Sequence, residues 1–533
     1  MSRRTRLRAV FLVALATLFT ARALGATWHY TVSFERAPDR RGRPRGPGTA
    51  HLWLPPASWQ LRGLLVLGKI LIEKEMALDP RVRAACAEGD VGIVYFEPHV
   101  AAVFTYWKDG STDAERFLEA LDDLAARAGR AEIGRVPWIT AGHSTGGIYC
   151  RNVAYWKPER VASILHIKSG NFHQDGILPP GRSIAGVPLV AINGHFETFG
   201  PEGGIREEYG RETQWVFVRK DIQRFRAADP NHLMSLLVHP GADHFHGAPE
   251  LYEYMALFIR KTGQYRLPRA LPAGDGPVPC RPVALEDGWL TDPEIERPTR
   301  DAAPYKSYSG NRAEAFWHFD EETARAVNRF HERLTKHQAL ENPKCTWLDD
   351  GDGWTLRASA KHLDTMPATY GGSVGGAKAG RPAGPIEYRC KLDEPVVKTG
   401  ADTFRLTRWT KKIHIAAFHP GDHTYRSTIR WSGVTVPKVK GASQSIDFPA
   451  VAGLGRTSRA VTLRATASSG LPVHYVVEYG PVAVDGSTLT VSDVPIGATF
   501  PMECKVTAYQ VGRRAAPAIR PAKPVSRTFE VTR

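Results

Sequence analysis

The 533-residue chain predicts an α/β fold with a mostly parallel, doubly wound sheet in its first half, followed by two β-sandwich-type domains. Three observations carry this expectation. Between residues 27 and about 270, short apolar runs alternate with amphipathic stretches at helical spacing. The alternation stops at 269–282, a stretch rich in proline and glycine. Beyond residue 345 the signals are short strands separated by turn residues. The length exceeds one hydrophobic core, and 42% hydrophobic with 23% charged residues is a globular composition.

Residues 1–25 stand apart. Arg3, Arg4, Arg6 and Arg8 precede an apolar run over 9–20, and Ala23 and Gly25 place small residues where a leader is cut. This is the layout of a secretory signal peptide, too short in its apolar part to span a bilayer comfortably. The chain is therefore expected to be secreted, periplasmic or at the cell surface, with no integral membrane segment after cleavage. Loss of the five leader arginines, Arg22 included, lowers the formal net charge from +15 to +10. A basic surface suits anionic partners such as acidic polysaccharide. No basic run is interleaved with aromatics, which argues against nucleic acid.

The first domain is expected over 26–268. Apolar runs at 61–68, 91–96, 136–141, 161–167, 187–192 and 234–239 read as strands buried on both faces. Helices are expected at 79–88, 113–128, 146–156, 215–227 and 249–262. In 113–128, Phe117, Leu118, Leu121 and Leu124 share one face. Residues 269–344 read as a linker with one helix, 321–338, whose apolar positions are Ala324, Val327, Phe330 and Leu334. A β-sandwich is expected over 345–440, with strands at 354–358, 403–406 and 413–416. Residues 441–533 read as a further β module, with strands at 460–467 and 473–477. The turns at 467–473 and 480–483 and the strand at 489–491 make it similar to bacterial immunoglobulin-like repeats.

None of the six cysteines (Cys86, Cys150, Cys280, Cys345, Cys390, Cys504) forms a CxxC pair, so no structural zinc site is expected. Cys345 and Cys390 lie within one domain and are a candidate disulfide in an oxidising compartment. Asp349-Asp350-Gly351-Asp352-Gly353 lacks the spacing of a calcium loop and reads as a β-turn.

The chemistry centres on Gly142-His143-Ser144-Thr145-Gly146. It fits G-x-S-x-G between a strand and a helix, where small residues allow the chain to fold back sharply and expose a serine hydroxyl. A serine needs a base. His244, on the loop between the last strand and the last helix, is the expected one, with His246 and His239 as alternatives. The carboxylate orienting it is expected to be Glu197, directly after the preceding strand, with Asp175 and Asp243 as alternatives. Glu202, Glu207 and Glu208 read as solvated loop charges.

On these residues, 27–267 resemble the α/β-hydrolase superfamily of the serine-esterase type, in which the triad runs serine, acid, histidine along the chain. A glutamate is a tolerated variant of that family's usual aspartate. The resemblance implies an oxyanion hole from two backbone N–H groups, that of Thr145 and one after the strand ending at Gly68. Where the family often carries His-Gly, this chain has Leu67-Gly68, which assigns the second donor to Lys69. No insertion is long enough for a large lid, and 197–214 is expected to border the cleft.

The resemblance implies a monomeric carboxylic-ester hydrolase working through an acyl-enzyme, without cofactor or metal. The appended β modules suggest an ester carried on polysaccharide, such as an acetyl, feruloyl or uronyl side group. A lipase or peptidase of the same fold is the alternative. From another class, a non-catalytic glycan-binding protein would use Trp347, Trp354, Trp409 and Trp431 on the β domains, although a sandwich core is the expected place for most of them.

Overall fold

The computed structural model describes residues 27–36, 45–101, 103–170, 179, 181–197, 214–245, 247–295, 298–332, 336–368, 375–392, 394–458 and 460–533. The expected signal segment, Asp175, Glu202, Glu207, Glu208, His246 and nearly all of 197–214 lie outside the described residues.

Eight strands form the first sheet: β1 (Tyr30–Phe34), β2 (Gly48–Trp53), β3 (Gly63–Gly68), β4 (Val91–Glu97), β5 (Trp138–His143), β6 (Val161–Ile167), β7 (Leu189–Gly194) and β8 (Met234–His239). Their order is β1-β2-β4-β3-β5-β6-β7-β8. β2 runs antiparallel to both β1 and β4, and every pair from β4 to β8 is parallel. β5 to β8 are buried at every position, as continuous apolar runs require. β6 and β8 coincide with their expected ranges. β5 and β7 begin two residues later than expected, because Pro137 and Pro188 have no N–H for the ladder and offer only their carbonyls, to Leu64 N and Ile164 N at 2.9 Å. The antiparallel pair β1–β2 was not expected.

Helices cover both faces. Thr145–Trp156 follows β5, and Pro249–Tyr265 follows β8. Among the described residues no helix is long and apolar enough to cross a membrane.

Residues 269–344 form more than a linker. Three short strands, β9 (Trp289–Thr291), β10 (Ala303–Pro304) and β11 (Phe316–His318), make a small sheet, followed by the helix Glu321–Glu332. The helix ends before the expected 338, since Lys336 and Gln338 form bridges to Tyr425 and Gly380. Trp317, Phe319 and Val327 join the core of the first domain. β8 is the edge strand, and its Val238 N–H donates to His331 Nε2 at 3.2 Å, which blunts that edge.

The middle domain has two antiparallel sheets. One is β12 (Lys344–Trp347), β13 (Thr355–Ser359), β16 (Thr403–Leu406) and β15 (Val396–Lys398); the other is β14 (Glu387–Cys390), β17 (Lys412–His419) and β18 (Thr428–Thr435). Trp354, Leu356, Phe404, Ile413 and Ile415 fill the space between them. Trp354 is fully buried, and the indoles of Trp347 and Trp409 donate to the carbonyls of Thr435 and Pro437. These rings serve the fold. All six cysteines are free thiols, so the expected Cys345–Cys390 bridge is not made. The two sit on opposite sheets, each packed against the sandwich core. The aspartate-rich stretch is a turn: Gly353 N–H donates to Asp350 O at 2.7 Å, and Asp352 pairs with Arg405 at 2.6 Å.

In the C-terminal module the expected strand 460–467 is two pieces, Val461–Thr462 and Thr466–Ala467, which pair into different sheets. Val482–Asp485 and Thr488–Val491 form a hairpin, with Gly486 at φ 58° in its loop. This module shares one continuous apolar cluster with the first domain, in which Tyr30 and Phe117 belong with Phe448, Val506 and Val531. Arg130 ties the seam by donating to Ser58 O and Ile496 O at 2.9 and 2.5 Å.

Two buried imidazoles set an acid limit to stability. His29 Nδ1 accepts from Leu54 N at 2.9 Å, and His331 Nε2 accepts from Val238 N. Burial lowers both to about 3, and a protonated ring could not accept these bonds. A lowered folded value gives stability that is present above the unfolded value of about 6.5 and is lost as pH falls. Between pH 7.5 and 5.5 the two together are expected to cost about 3 kcal/mol. Urea unfolding midpoints at the two pH values check this; equal midpoints would refute it.

Candidate active site

The site is built where β5 turns into the helix Thr145–Trp156. Ser144 adopts φ 55° and ψ −125°, a strained conformation for a residue with a side chain. A side chain at position 142 would collide with the carbonyl of Gly146 and come within 2.8 Å of Gly147 N, and one at 147 would meet Ser169 Oγ at 2.6 Å. The small residues are therefore demanded by two close approaches, one within the bend and one to Ser169, just beyond β6. Thr145 is exposed and opens the helix, so its N–H is among those a helix leaves without an internal partner.

The structure brings Ser144, His244 and Glu197 together. His244 Nε2 lies 3.2 Å from Ser144 Oγ, and His244 Nδ1 lies 2.5 Å from Glu197 Oε1. The other carboxylate oxygen accepts from Gly194 N at 3.0 Å and from Asn193 Nδ2 at 3.1 Å. With its amide oriented to satisfy its neighbours, Gln214 also donates to Glu197 Oε1 at 2.5 Å, while its oxygen accepts from Gly170 N at 2.6 Å. Glu197 is 3% exposed and has a full set of donors.

The alternatives within the described residues are engaged elsewhere. His239 is buried and faces Glu250 Oε1 at 3.5 Å, and its burial lowers its pKa. Asp243 caps Phe245 N at 3.0 Å and reaches Arg430 Nη1 at 3.4 Å.

The expected second oxyanion donor is corrected. Lys69 N–H donates to Phe96 O at 2.8 Å, because the ladder between β3 and β4 continues one residue beyond Gly68. Its side chain pairs with Glu97. The next amide is Ile70 N, 3.3 Å from Glu73 Oε2, which accepts Leu71 N more closely at 2.7 Å. Glu73 Oε1 accepts His143 N at 2.7 Å, so one buried carboxyl joins the loop after β3 to the serine strand. Burial pushes that carboxyl up to about 7 against the opposing pull of these amides.

Two further residues hold the base loop and a third the serine turn, and none of them stood out in the sequence. His143 Nε2 lies 2.7 Å from the His244 carbonyl, so that nitrogen carries the proton; burial and the neighbouring His244 keep the ring neutral. Lys168 donates from Nζ to Asp243 O, and burial lowers the amine to about 8. Ser169 Oγ donates to Ser144 O. For His143 the only available signal was its place inside the motif.

Neither a family model nor a curated protein matches the chain. Solved structures similar to it include a poly(3-hydroxybutyrate) depolymerase from Bordetella parapertussis, at 12% identity over 44% of this chain and 89% of that one, with a TM-score of 0.32. An esterase of Pyrobaculum calidifontis is 13% identical over 49% of this chain and 93% of its own, at a TM-score of 0.30. An arylesterase is 9% identical over 50% and 98%, at 0.29. The strand order β1-β2-β4-β3-β5-β6-β7-β8, the reversed β2 and the bend at Ser144 give the first half of the chain a mostly parallel α/β sheet with a sharp serine turn at the end of β5.

Proposed function

We propose that the protein is an exported serine hydrolase that cleaves carboxylic esters. One observation carries the reading: an unbroken line from a strained serine through an imidazole to a buried carboxylate, at 3.2 and 2.5 Å. Ser144 Oγ attacks the ester carbonyl while His244 Nε2 takes its proton. Glu197 holds the imidazole in the tautomer that leaves Nε2 free to accept, and it stabilises the cation that forms. The N–H of Thr145 faces the developing oxyanion; Ile70 N, which donates to Glu73 Oε2 at 3.3 Å, becomes the second donor once it leaves that carboxylate. His244 then returns the proton to the leaving alcohol, and water, activated by the same imidazole, releases the acid from Ser144.

The expected leader, the basic chain and the β modules, the last read as immunoglobulin-like, support an ester borne on polysaccharide. Two large apolar side chains near the triad are in the open: Ile70, 37% exposed and close to Gly146, and Phe245, 58% exposed. Phe245 lies against His244 with ring centroids 4.8 Å apart, edge to face. Phe245→Ala is expected to raise KM for para-nitrophenyl acetate about tenfold while leaving ethyl acetate unchanged. Equal effects on both would remove Phe245 from alcohol recognition.

The test of the function is labelling of purified protein by a fluorophosphonate, followed by release of acid from acetylated, feruloylated and methyl-glucuronoylated sugars. Labelling at Ser144 and turnover of one sugar ester are expected. An unlabelled, properly folded protein would replace this reading with the non-catalytic one.

A further inference from the structure

We propose that the middle domain is a working part of the active site, with Arg430 and Arg426 positioning the two loops that carry His244 and Glu197. The inference rests on the triad reading above.

The base loop is pressed into the sandwich. Gly241 has φ 65°, and a side chain there would collide with Ser427 O and approach Thr428 Cα within 2.7 Å. Two backbones from separate domains therefore touch three residues before the base. Ala242 is fully buried, and its apolar partners Ala416, Phe418, Ile429 and Trp431 all belong to β17 and β18. Next along the loop, Asp243 Oδ2 faces Arg430 Nη1 at 3.4 Å, while Arg430 Nε is fixed by Asn342 Oδ1 at 2.9 Å. The small residues of Pro240-Gly241-Ala242 thus serve close interdomain packing.

The acid loop is held from the same side. Arg426, 4% exposed, places Nη1 3.1 Å from His195 Nδ1, two residues before Glu197. Between them, Phe196 packs in a cluster with Ala339, Met366 and Ala379. The loops are joined to each other, since Phe196 N–H donates to Ala242 O at 2.9 Å. Each loop thus meets the later domains at the residues immediately before its catalytic side chain, and one hydrogen bond couples the two grips.

Triad chemistry is sensitive to this kind of support. Catalytic groups need placement within about 0.5 Å, and an error of about 1 Å costs about a hundredfold in rate. His244 has one bond to each triad partner, so small displacements of its loop act directly on the line to Ser144.

The experiment uses the full chain with Arg430→Met, which keeps the apolar stem and removes the guanidinium, and Arg430→Lys, which restores a cation. With para-nitrophenyl acetate, Arg430→Met is expected to lower kcat at least about tenfold with KM within about threefold of wild type. Fluorophosphonate labelling should slow in parallel. Arg430→Lys should recover most of both. Asp243→Asn breaks the same pair from the other side and should reproduce the kcat loss, which decides the matter if Arg430→Met fails to fold. Wild-type kcat in a folded Arg430→Met or Asp243→Asn protein would overturn the proposal. A wild-type protein that neither labels nor turns over would instead overturn the hydrolase reading itself.

Discussion

Ser144→Ala is expected to reduce kcat for ester hydrolysis by about a millionfold and to abolish fluorophosphonate labelling. Removing Oγ removes the atom placed to form the acyl-enzyme, while the N–H of Thr145 and the bound ester remain. The residual rate over water therefore comes from binding and the oxyanion donors alone. The same position stores strain, since Ser144 holds φ 55°. A residue in such a region costs about 1–3 kcal/mol, and glycine adopts it freely. Ser144→Gly should thus be as inactive as Ser144→Ala but melt higher. Activity that survives either change, in protein free of wild-type contamination, would remove Ser144 from the mechanism.

Glu197→Gln is expected to lower kcat about ten-thousandfold, by a different route. Both carboxylate oxygens accept in the native site: Oε1 faces His244 Nδ1, and Oε2 takes Gly194 N and Asn193 Nδ2. An amide has one accepting oxygen. If that oxygen serves Gly194, the amide nitrogen faces His244 and forces the proton onto Nε2, where it blocks acceptance from Ser144. If it serves His244, two donors meet at Gly194. The second arrangement leaves buried donors unsatisfied, so unfolding should also become easier by about 1–3 kcal/mol. Glu197→Asp keeps the charge and should recover part of the rate. The measurements are kcat on para-nitrophenyl acetate and a urea midpoint; a wild-type kcat in Glu197→Gln would leave the orienting role with another group.

Much of the first domain was legible because strands buried on both faces are written as apolar runs. β6 and β8 carry such runs without a proline, and their ends fall where the runs end. β5 and β7 shifted because a proline inside the run contributes bulk but no donor. The helix expected to reach 338 gives way before Lys336, since Lys336 and Gln338 pair with Tyr425 and Gly380 of the middle domain, far away in the chain. Local periodicity cannot report such distant competition. The same limit governed the site. Ser144, His244 and Glu197 could be inferred from motif and chain order. Lys69 was misassigned by a single extra rung between β3 and β4. Glu73, Lys168 and the two arginines of the middle domain act through contacts that no spacing encodes.

The apolar cluster that runs from Tyr30 to Val531 bears on how the chain comes apart. Modules strung on flexible tethers melt one by one, each at its own temperature. Here the first and last modules share an interior, so neither can open without wetting the other. Calorimetry should register their loss as one cooperative event. Cutting away the final module would leave a sticky scar on the first domain, so the module cannot be treated as a removable accessory.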